Sequence, residues 1–182
     1  MTDFLSVSGL NFSWGENHVL KDVEFTMQRN EVVAILGVNG AGKSTLIKCV
    51  NKILTPKSGK ILIEGNDLSS HDLVSLAQVM SYVPQTVRSS FSMNVFDVAL
   101  IGRRPHIRWR ISQRDRDFVS QTLRYLGLED FAFRRFNQLS GGERQRVIIA
   151  KAIVQNPDLY LFDEPTSDLD LKNQVSIMKR IR

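Results

Sequence analysis

Gly37-Val38-Asn39-Gly40-Ala41-Gly42-Lys43-Ser44-Thr45 is the most informative part of this chain for its fold class. It fits the pattern G-x-x-x-x-G-K-[ST], in which glycines allow a sharp turn that aims several backbone N–H groups at phosphate oxygens. The preceding run, 31–36, is apolar with β-branched residues, which predicts a strand buried on both faces of a parallel sheet. The residues that follow, 44–50, predict a helix whose N-terminal dipole also faces the anion.

The glycine-rich loop predicts a nucleotide triphosphate and Mg²⁺ as ligands. Lys43 is expected to reach the β- and γ-phosphates, and the Ser44 hydroxyl is expected to ligate Mg²⁺. A plain glycine turn is the alternative, but every position of the motif is filled and the strand precedes it. The candidate nucleotide-binding residues of this loop are Gly37, Asn39, Gly40, Ala41, Gly42, Lys43, Ser44 and Thr45.

Two carboxylates follow a second apolar run. Leu159 to Phe162 predicts another buried strand, and Asp163 and Glu164 come directly after it. Ligands of open α/β sheets sit beyond the carboxyl ends of the strands, so these acids are expected near the phosphates. Asp163 suits Mg²⁺, held through water, and Glu164 suits a general base that polarises the attacking water. A solvated turn is the alternative for this pair.

A third stretch, Leu139-Ser140-Gly141-Gly142-Glu143, precedes a strong helix pattern. Ser140 is a good N-cap, and Glu143 completes a capping box. The Ser-Gly-Gly start exposes backbone N–H groups at a positive helix end, which predicts a second anion site. Such a site has no role within a single nucleotide pocket, so it suggests that a second subunit completes the pocket. A plain helix cap is the alternative.

Together these stretches make the chain, from about Leu5 to its end, resemble the nucleotide-binding subunit of an ATP-binding cassette (ABC) transporter. In that family the loop at 37–45 is Walker A, residues 159–164 are Walker B with its catalytic glutamate, and residues 139–143 are the signature, here with Glu for the commoner Gln. Gln85, in Tyr82-Val83-Pro84-Gln85, matches the Q-loop, which contacts the metal and senses the γ-phosphate. Trp14 matches the aromatic residue that stacks on adenine. Ser167 to Asp170 resembles the D-loop, although Asp168 stands where alanine is usual.

The resemblance implies an α/β fold. We expect a P-loop NTPase core with a parallel sheet, an N-terminal antiparallel β part over 4–25, and an inserted α-helical subdomain at about 72–155, all within a single domain, 1–182. We also expect a C-terminally truncated chain, because the last helical pattern is unfinished at Arg182. His18, His71 and His106 all precede the signature, so none can be the family's γ-phosphate histidine, and independent hydrolysis is in doubt.

The resemblance further implies ATP and Mg²⁺ as ligands, with Ser44, Gln85 and Asp163 holding the metal. Two copies would face each other head to tail, with Ser140, Gly141 and Gly142 binding in trans the γ-phosphate held by the partner's Walker A. Membrane permease subunits are the other direct partners, and a solute-binding protein is an indirect one. Val98 to His106 resembles a segment in importers of iron chelates, haem and cobalamin, so we expect ATP hydrolysis that energises import of a metal chelate.

Composition agrees with a peripheral protein at the cytoplasmic face of the membrane. The 182 residues contain one cysteine, so an internal disulfide is impossible, and neither a membrane-spanning run nor a signal peptide is evident. Lys and Arg outnumber acids by 24 to 19, giving a net charge of +5. Much of the excess lies in Arg103, Arg104, Arg108, Arg110, Arg114 and Arg116. These arginines fit a solvated loop or a surface near anionic lipid headgroups; nucleic acid is the alternative, and we expect none.

Three rival functions keep parts of this chemistry. An ABC ATPase of DNA repair or translation would usually carry a coiled-coil insertion or a second cassette, and neither is visible. A GTPase or small kinase would leave the Ser-Gly-Gly helix start unexplained, and the guanine-reading Asn-Lys-x-Asp pattern is absent. A degraded cassette, or a fragment, would bind ATP without turnover.

Overall fold

The computed structural model describes residues 3–86 and 92–164. The chain divides into two compact units, Met1–Leu73 and Val74–Arg182. Among the described residues, every helix is too short or too polar to traverse a bilayer.

An antiparallel sheet forms the first unit. Strands β1 (Leu5–Trp14), β2 (Asn17–Met27), β3 (Ser58–Ile63) and β4 (Asn66–Asp67) pair in the order β2-β1-β3-β4. β1 and β2 form a hairpin in which Trp14 lies opposite Asn17, so the predicted N-terminal antiparallel part is confirmed. β1 and β3 approach so closely that a Cβ on Gly59 would lie 2.5 Å from the Gly9 carbonyl oxygen, which requires glycine there.

Helix α1 (Lys43–Val50) follows the glycine-rich loop, as predicted. Its buried residues include Cys49, whose side chain is fully enclosed. Burial raises the pKa of the Cys49 thiol to about 11, so the cysteine is a packing residue and not a reactive one.

The strand predicted over residues 31–36 is not formed. The segment has no regular secondary structure, and Val32 and Leu36 are 82% and 91% exposed. A strand persists only where a neighbour accepts its backbone hydrogen bonds and covers its side chains. None of the described strands pairs with this segment, so its apolar pattern alone does not make it a strand.

The second unit combines helices with a short parallel sheet. Its elements are α2 (Leu73–Val79), β5 (Met80–Val83), α3 (Val95–Leu100), α4 (Gln113–Tyr125), α5 (Gly141–Gln155) and β6 (Leu159–Phe162), with α2 beginning at the unit boundary. β5 and β6 run parallel, from Met80 opposite Leu159 to Val83 opposite Phe162. The core between α3, α4 and α5 contains fully buried Val95, Val119 and Ile149. One face of α4 is turned to this core, with Val119, Thr122 and Leu123 buried.

Candidate functional site

The glycine-rich loop enters α1 through a left-handed turn. Gly42 is the N-cap, with φ 92° and ψ 8°, and within the described part of the chain no side chain caps this end of the helix. A Cβ on Gly42 would lie 2.8 Å from Val19 Cγ1, so both the backbone conformation and the available space require glycine. Gly40 also has a positive φ, 83°. The loop therefore presents backbone at its rim, where a side chain would otherwise stand between the amides and an anion.

Lys43 folds its side chain back over this loop. Its Nζ donates to the carbonyl oxygens of Gly37 at 2.9 Å and Val38 at 3.1 Å. The Ala41 N–H donates to the Val38 carbonyl at 3.2 Å and closes the turn. Asn39, Gly40 and Ala41 are exposed at the rim, while Ser44 and Thr45 are half-buried in the first turn of α1. The ammonium thus sits at the mouth of the loop, where a phosphate could compete with the carbonyl oxygens for it.

Trp14 lies at the end of β1 and is 56% exposed. Its ring meets Phe12 edge to face, with centroids 5.1 Å apart and planes at 77°. The paired strand β2 carries Val19, the same residue that lies beside Gly42. The hairpin that carries the exposed indole of Trp14 therefore also contacts the glycine-rich loop. An exposed indole in this position is suited to stacking on a base.

The two predicted acids, Asp163 and Glu164, directly follow β6, and Gln85 lies two residues after β5. Gln85 Nε2 donates to Glu164 Oε2 at 2.7 Å, and Tyr82 Oη donates to Asp163 Oδ2 at 3.0 Å. Asp163 is only 4% exposed, whereas Glu164 is exposed with a left-handed φ of 47°. Burial first, and then the Asp163 charge, raise the pKa of the Tyr82 hydroxyl, so it remains a proton donor to the carboxylate.

Tyr82 was missed by sequence reasoning as a neighbour of the acids. It is the third residue of β5 and pairs with Leu161 of β6. Leu161 lies two residues before Asp163 in the chain. Only the parallel register of β5 and β6 reveals this relation, because 81 residues separate Tyr82 from Asp163. Parallel strands end at the same edge of a sheet, so the residues after them meet there.

Helix α5 begins with the predicted capping box. Ser140 Oγ accepts from the Glu143 N–H at 3.3 Å, and Glu143 Oε2 accepts from the Ser140 N–H at 2.7 Å. The hydrogen bond from the Ser140 N–H is the main cause that lowers the pKa of Glu143. Gly141 and Gly142 are the first two residues of the helix, and Ser140 and Gly141 are exposed. The Ser140 hydroxyl can still donate its own proton to an anion while it accepts the cap bond.

Gln145, in the second turn of α5, was also missed. It is 3% exposed, and its Nε2 donates to the Pro84 carbonyl at 3.4 Å. Pro84 directly precedes Gln85. This bond therefore links the start of α5 to the segment that carries Gln85, whose side-chain amide donates to Glu164.

The predicted site residues thus divide between the two units. The loop residues and Trp14 lie in the first unit, and Gln85, Asp163, Glu164 and the Ser-Gly-Gly helix start lie in the second. The expected D-loop, Ser167 to Asp170, lies outside the described residues.

The donor types fit Mg²⁺. The Ser44 hydroxyl, the Gln85 amide oxygen and the Asp163 carboxylate are hard oxygen ligands, and the Gln85 bond to Glu164 uses the amide nitrogen. Across residues 3–86 and 92–164, no group of three or more His, Cys, Asp or Glu side chains could hold a metal ion by itself. Mg²⁺ commonly keeps several waters and takes phosphate oxygens as further ligands, so it needs few protein ligands.

Comparison with known proteins gives one consistent result. The family model described as ABC transporter matches residues 20–167. An uncharacterized ABC transporter ATP-binding protein of Methanocaldococcus jannaschii is 52% identical over 177 residues, which are 97% of this chain and 69% of that protein. The petrobactin import ATP-binding protein YclP of Bacillus subtilis is 34% identical over 178 residues, 98% of this chain and 71% of that protein. A metal-chelate type ABC transporter solved in an inward-facing conformation superposes with a TM-score of 0.82 at 36% identity, covering 100% of this chain and 67% of its own.

Proposed function

This chain belongs to the ABC transporter family of ATP-binding subunits, and on that basis we propose that it binds ATP with Mg²⁺ and hydrolyses it. We further propose that this hydrolysis energises the import of a metal chelate. The observation that carries the hydrolytic part is the 2.7 Å bond from Gln85 Nε2 to Glu164 Oε2. It holds a carboxylate at the end of a strand beside an amide that can report an occupied metal site.

The residues of the first unit bind the nucleotide. Trp14 stacks on adenine, and the backbone N–H groups of 37–45 cradle the phosphates. Lys43 exchanges its two carbonyl partners for the β- and γ-phosphates, which are stronger acceptors because they are charged. No side chain caps α1, so the positive helix end also faces the phosphates.

The residues of the second unit prepare the attacking water. Glu164 accepts the proton of that water, and Gln85 holds the carboxylate in place for it. Bound Mg²⁺ would neutralise the charge that develops between the β- and γ-phosphates. Ser44, Gln85 and Asp163 would hold it, and the Tyr82 hydroxyl would keep the Asp163 carboxylate oriented.

We propose that the working unit contains two cassettes, each a single domain over 1–182 with a helical subdomain at about 72–155. The Ser-Gly-Gly start of α5 supports this arrangement, because it offers a helix N-terminus with a hydroxyl donor that its own nucleotide does not need. Ser140, Gly141 and Gly142 would then bind the γ-phosphate held by a second copy. Permease subunits would hold this pair at the cytoplasmic face of the membrane and, with a solute-binding protein, select the solute.

Import of a metal chelate is supported by two likenesses. The sequence of Val98 to His106 resembles importers of iron chelates, haem and cobalamin, and a petrobactin import protein and a metal-chelate type transporter are among the matching proteins. Uptake of a panel of chelates by cells that produce the protein with its permease tests this part. Uptake that is unchanged by deletion of the protein would contradict it.

Glu164→Gln tests the proposed hydrolysis. In the full-length protein assembled with its permease, the variant should bind ATP as wild type does and lose turnover by about 10²–10⁴-fold, because an amide cannot accept the proton. Glu129→Gln is the matched control, since it removes an exposed carboxylate that pairs with Arg124. Wild-type turnover in Glu164→Gln would place the base elsewhere.

A further inference from the structure

The C-terminal end of α5 is enclosed by the 3-10 helical segment Ile101–His106. We propose that Arg103 and His106 are positioning residues for the proposed hydrolysis, which fix the signature helix α5 by its C-terminal end and so set the place of Ser140, Gly141 and Gly142 at its other end. The contacts of Gly102, Arg103 and His106 with the last turns of α5 are called the C-terminal clamp. The effect on hydrolysis rests on the proposed function, whereas the clamp itself rests on contacts.

Two side chains of the clamp bind carbonyl oxygens that the helix leaves without partners. Arg103 Nη1 donates to the Val154 carbonyl at 3.1 Å, and His106 Nε2 lies 2.7 Å from the Gln155 carbonyl. A carbonyl oxygen only accepts, so His106 Nε2 must carry a proton. The last four carbonyls of a helix have no partner within it, and the negative end of its dipole attracts the Arg103 cation.

Gly102 brings the backbone of the segment against the helix. A Cβ at this position would lie 2.2 Å from the Lys151 carbonyl oxygen and 3.3 Å from the Gln155 nitrogen. Its φ lies outside the left-handed region, so the requirement for glycine is one of space. The absence of a side chain therefore lets Arg103 and His106 reach the helix end from one short segment.

Arg103 is itself fixed by the first turn of α4. Its Nε donates to Asp115 Oδ1 at 2.9 Å, and its guanidinium carbon lies 5.5 Å from the centre of the Phe118 ring. The side chains of Arg103 and Asp115 are only 17% and 13% exposed. Asp115 belongs to the capping box of α4, so Arg103 joins the start of one helix to the end of another. A mobile surface arginine would not make this set of bonds.

The same helix end holds the strand that leads to Gln85. Gln155 Nε2 donates to the carbonyl oxygens of Ala77 at 2.6 Å and Met80 at 2.7 Å. Gln78 Nε2 donates to the Pro105 carbonyl at 2.7 Å, which ties α2 to the clamp segment. The helix end that the clamp holds is therefore also bonded to the beginning of β5.

A clamp at one end of α5 acts on the other end because the helix is stiff. Its 15 residues span about 22 Å at 1.5 Å per residue. If the helix tilts about Gln155, its other end at Ser140 therefore moves furthest. Hydrogen bonds to a phosphate weaken steeply with such a displacement.

Hydrogen exchange tests the clamp without any hydrolysis. Arg103→Met should accelerate amide exchange in 139–145, at the far end of α5, by about tenfold relative to wild type, the effect of one lost charge-assisted hydrogen bond. Arg104→Met is the matched control, because it removes the same charge from the adjacent exposed position. Equal exchange in 139–145 for the two variants would overturn the proposal, as would acceleration that is equally large in α3.

A conservative series at His106 keeps the test decisive if Arg103→Met unfolds. His106→Gln retains an N–H donor and should keep the slow exchange of 139–145, whereas His106→Phe should lose it. The reverse order, or no difference, would overturn the clamp.

Turnover tests the consequence separately. In the full-length protein with its permease, His106→Phe should lower kcat about tenfold with unchanged ATP affinity, and His106→Gln should restore it. An unchanged kcat beside altered exchange would overturn the positioning role. A wild type that binds ATP but never turns over would instead contradict the proposed function, and the exchange result would still decide the clamp.

Discussion

Among the described α-helices, α1 and α5 have glycines at their starts, and these starts are built in opposite ways. α1 begins at a left-handed Gly42 with no side-chain cap, after a loop in which Gly40 also has a positive φ. α5 begins at Ser140 in an extended conformation, and its capping box already binds two N–H groups. Both starts are positive helix ends, so charge alone does not distinguish them.

The difference indicates how each start can meet a phosphate. The α1 start is shaped as a cradle, because an anion can occupy the place that a capping side chain would fill. The α5 start is already capped by its own side chains, so it does not need a ligand to be ordered, and the N–H groups of its first residues, Gly141 and Gly142, are the ones that a phosphate could meet. This fits the proposal that the first holds its own nucleotide and the second meets the nucleotide of a second copy.

Gly141→Asp should have the largest effect and the most selective one. A carboxylate at the proposed trans contact would repel the γ-phosphate, so we expect hydrolysis to fall by at least about 10²-fold while ATP binding to the monomer is unchanged. Asn137→Asp is the control, because it adds the same charge at a nearby exposed position. Turnover and nucleotide affinity are measured on the same full-length preparations.

Mixed dimers test directly whether Gly141 acts on the nucleotide of the other chain. A Gly141→Asp chain paired with a Lys43→Ala chain has both defects in one composite site and leaves the other site intact, so partial activity should return. Mixed dimers that form and remain inactive would remove the main support for binding in trans, and strict coupling between the two sites would be the competing explanation.

Lys43→Ala should act on the α1 cradle and on binding itself. Loss of the charged hydrogen bonds to the phosphates should weaken ATP binding about 10–100-fold, as expected for charge-assisted bonds. Lys48→Ala, in the last turn of the same helix, is the control. Calorimetry should show this difference in ATP affinity. Equal affinities for wild type and Lys43→Ala would contradict the assignment of the α1 loop as the phosphate site.

Gly42→Ala and Ser140→Ala compare the two starts by stability. Alanine at Gly42 is strained at φ 92° and contacts Val19, so unfolding free energy should fall by roughly 2–4 kcal/mol. Alanine at Ser140 removes one cap bond and should cost ~1 kcal/mol. Urea unfolding measures both changes. A larger loss at Ser140 than at Gly42 would contradict the structural contrast.

Glu143→Gln should give the smallest effect, visible in its pH dependence. The pKa of Glu143 is lowered in the folded chain, so its carboxylate stabilises the fold above the ordinary value of 4.5, and this contribution disappears as pH falls toward the lowered pKa. Wild type should therefore be more stable than Glu143→Gln at pH 7, and that advantage should be smaller at pH 3. Urea midpoints at both pH values check this, and a constant difference would mean that the carboxylate charge is irrelevant to the cap.

Local features of the fold and the site were predictable from sequence. The hairpin of β1 and β2 and the capping box of Ser140 and Glu143 depend on residues close along the chain. The apolar run of β6 also predicted its strand, although its partner β5 is distant. The family resemblance rests on the same local motifs, and the comparison with known proteins confirms it. The apolar run over 31–36 was the exception, because a buried strand needs partners that its own sequence does not contain.

The residue pattern was therefore enough to identify each motif: a glycine-rich loop with the spacing of a phosphate-binding loop, a self-capped helix start, and two acids after a strand. Tertiary structure alone decided which of them meet. Gln85 and Glu164 are 79 residues apart, and Arg103 reaches a carbonyl 51 residues away. Such pairs depend on strand register and helix packing, whose hydrogen bonds and contacts form between distant segments and leave no periodic pattern in either one.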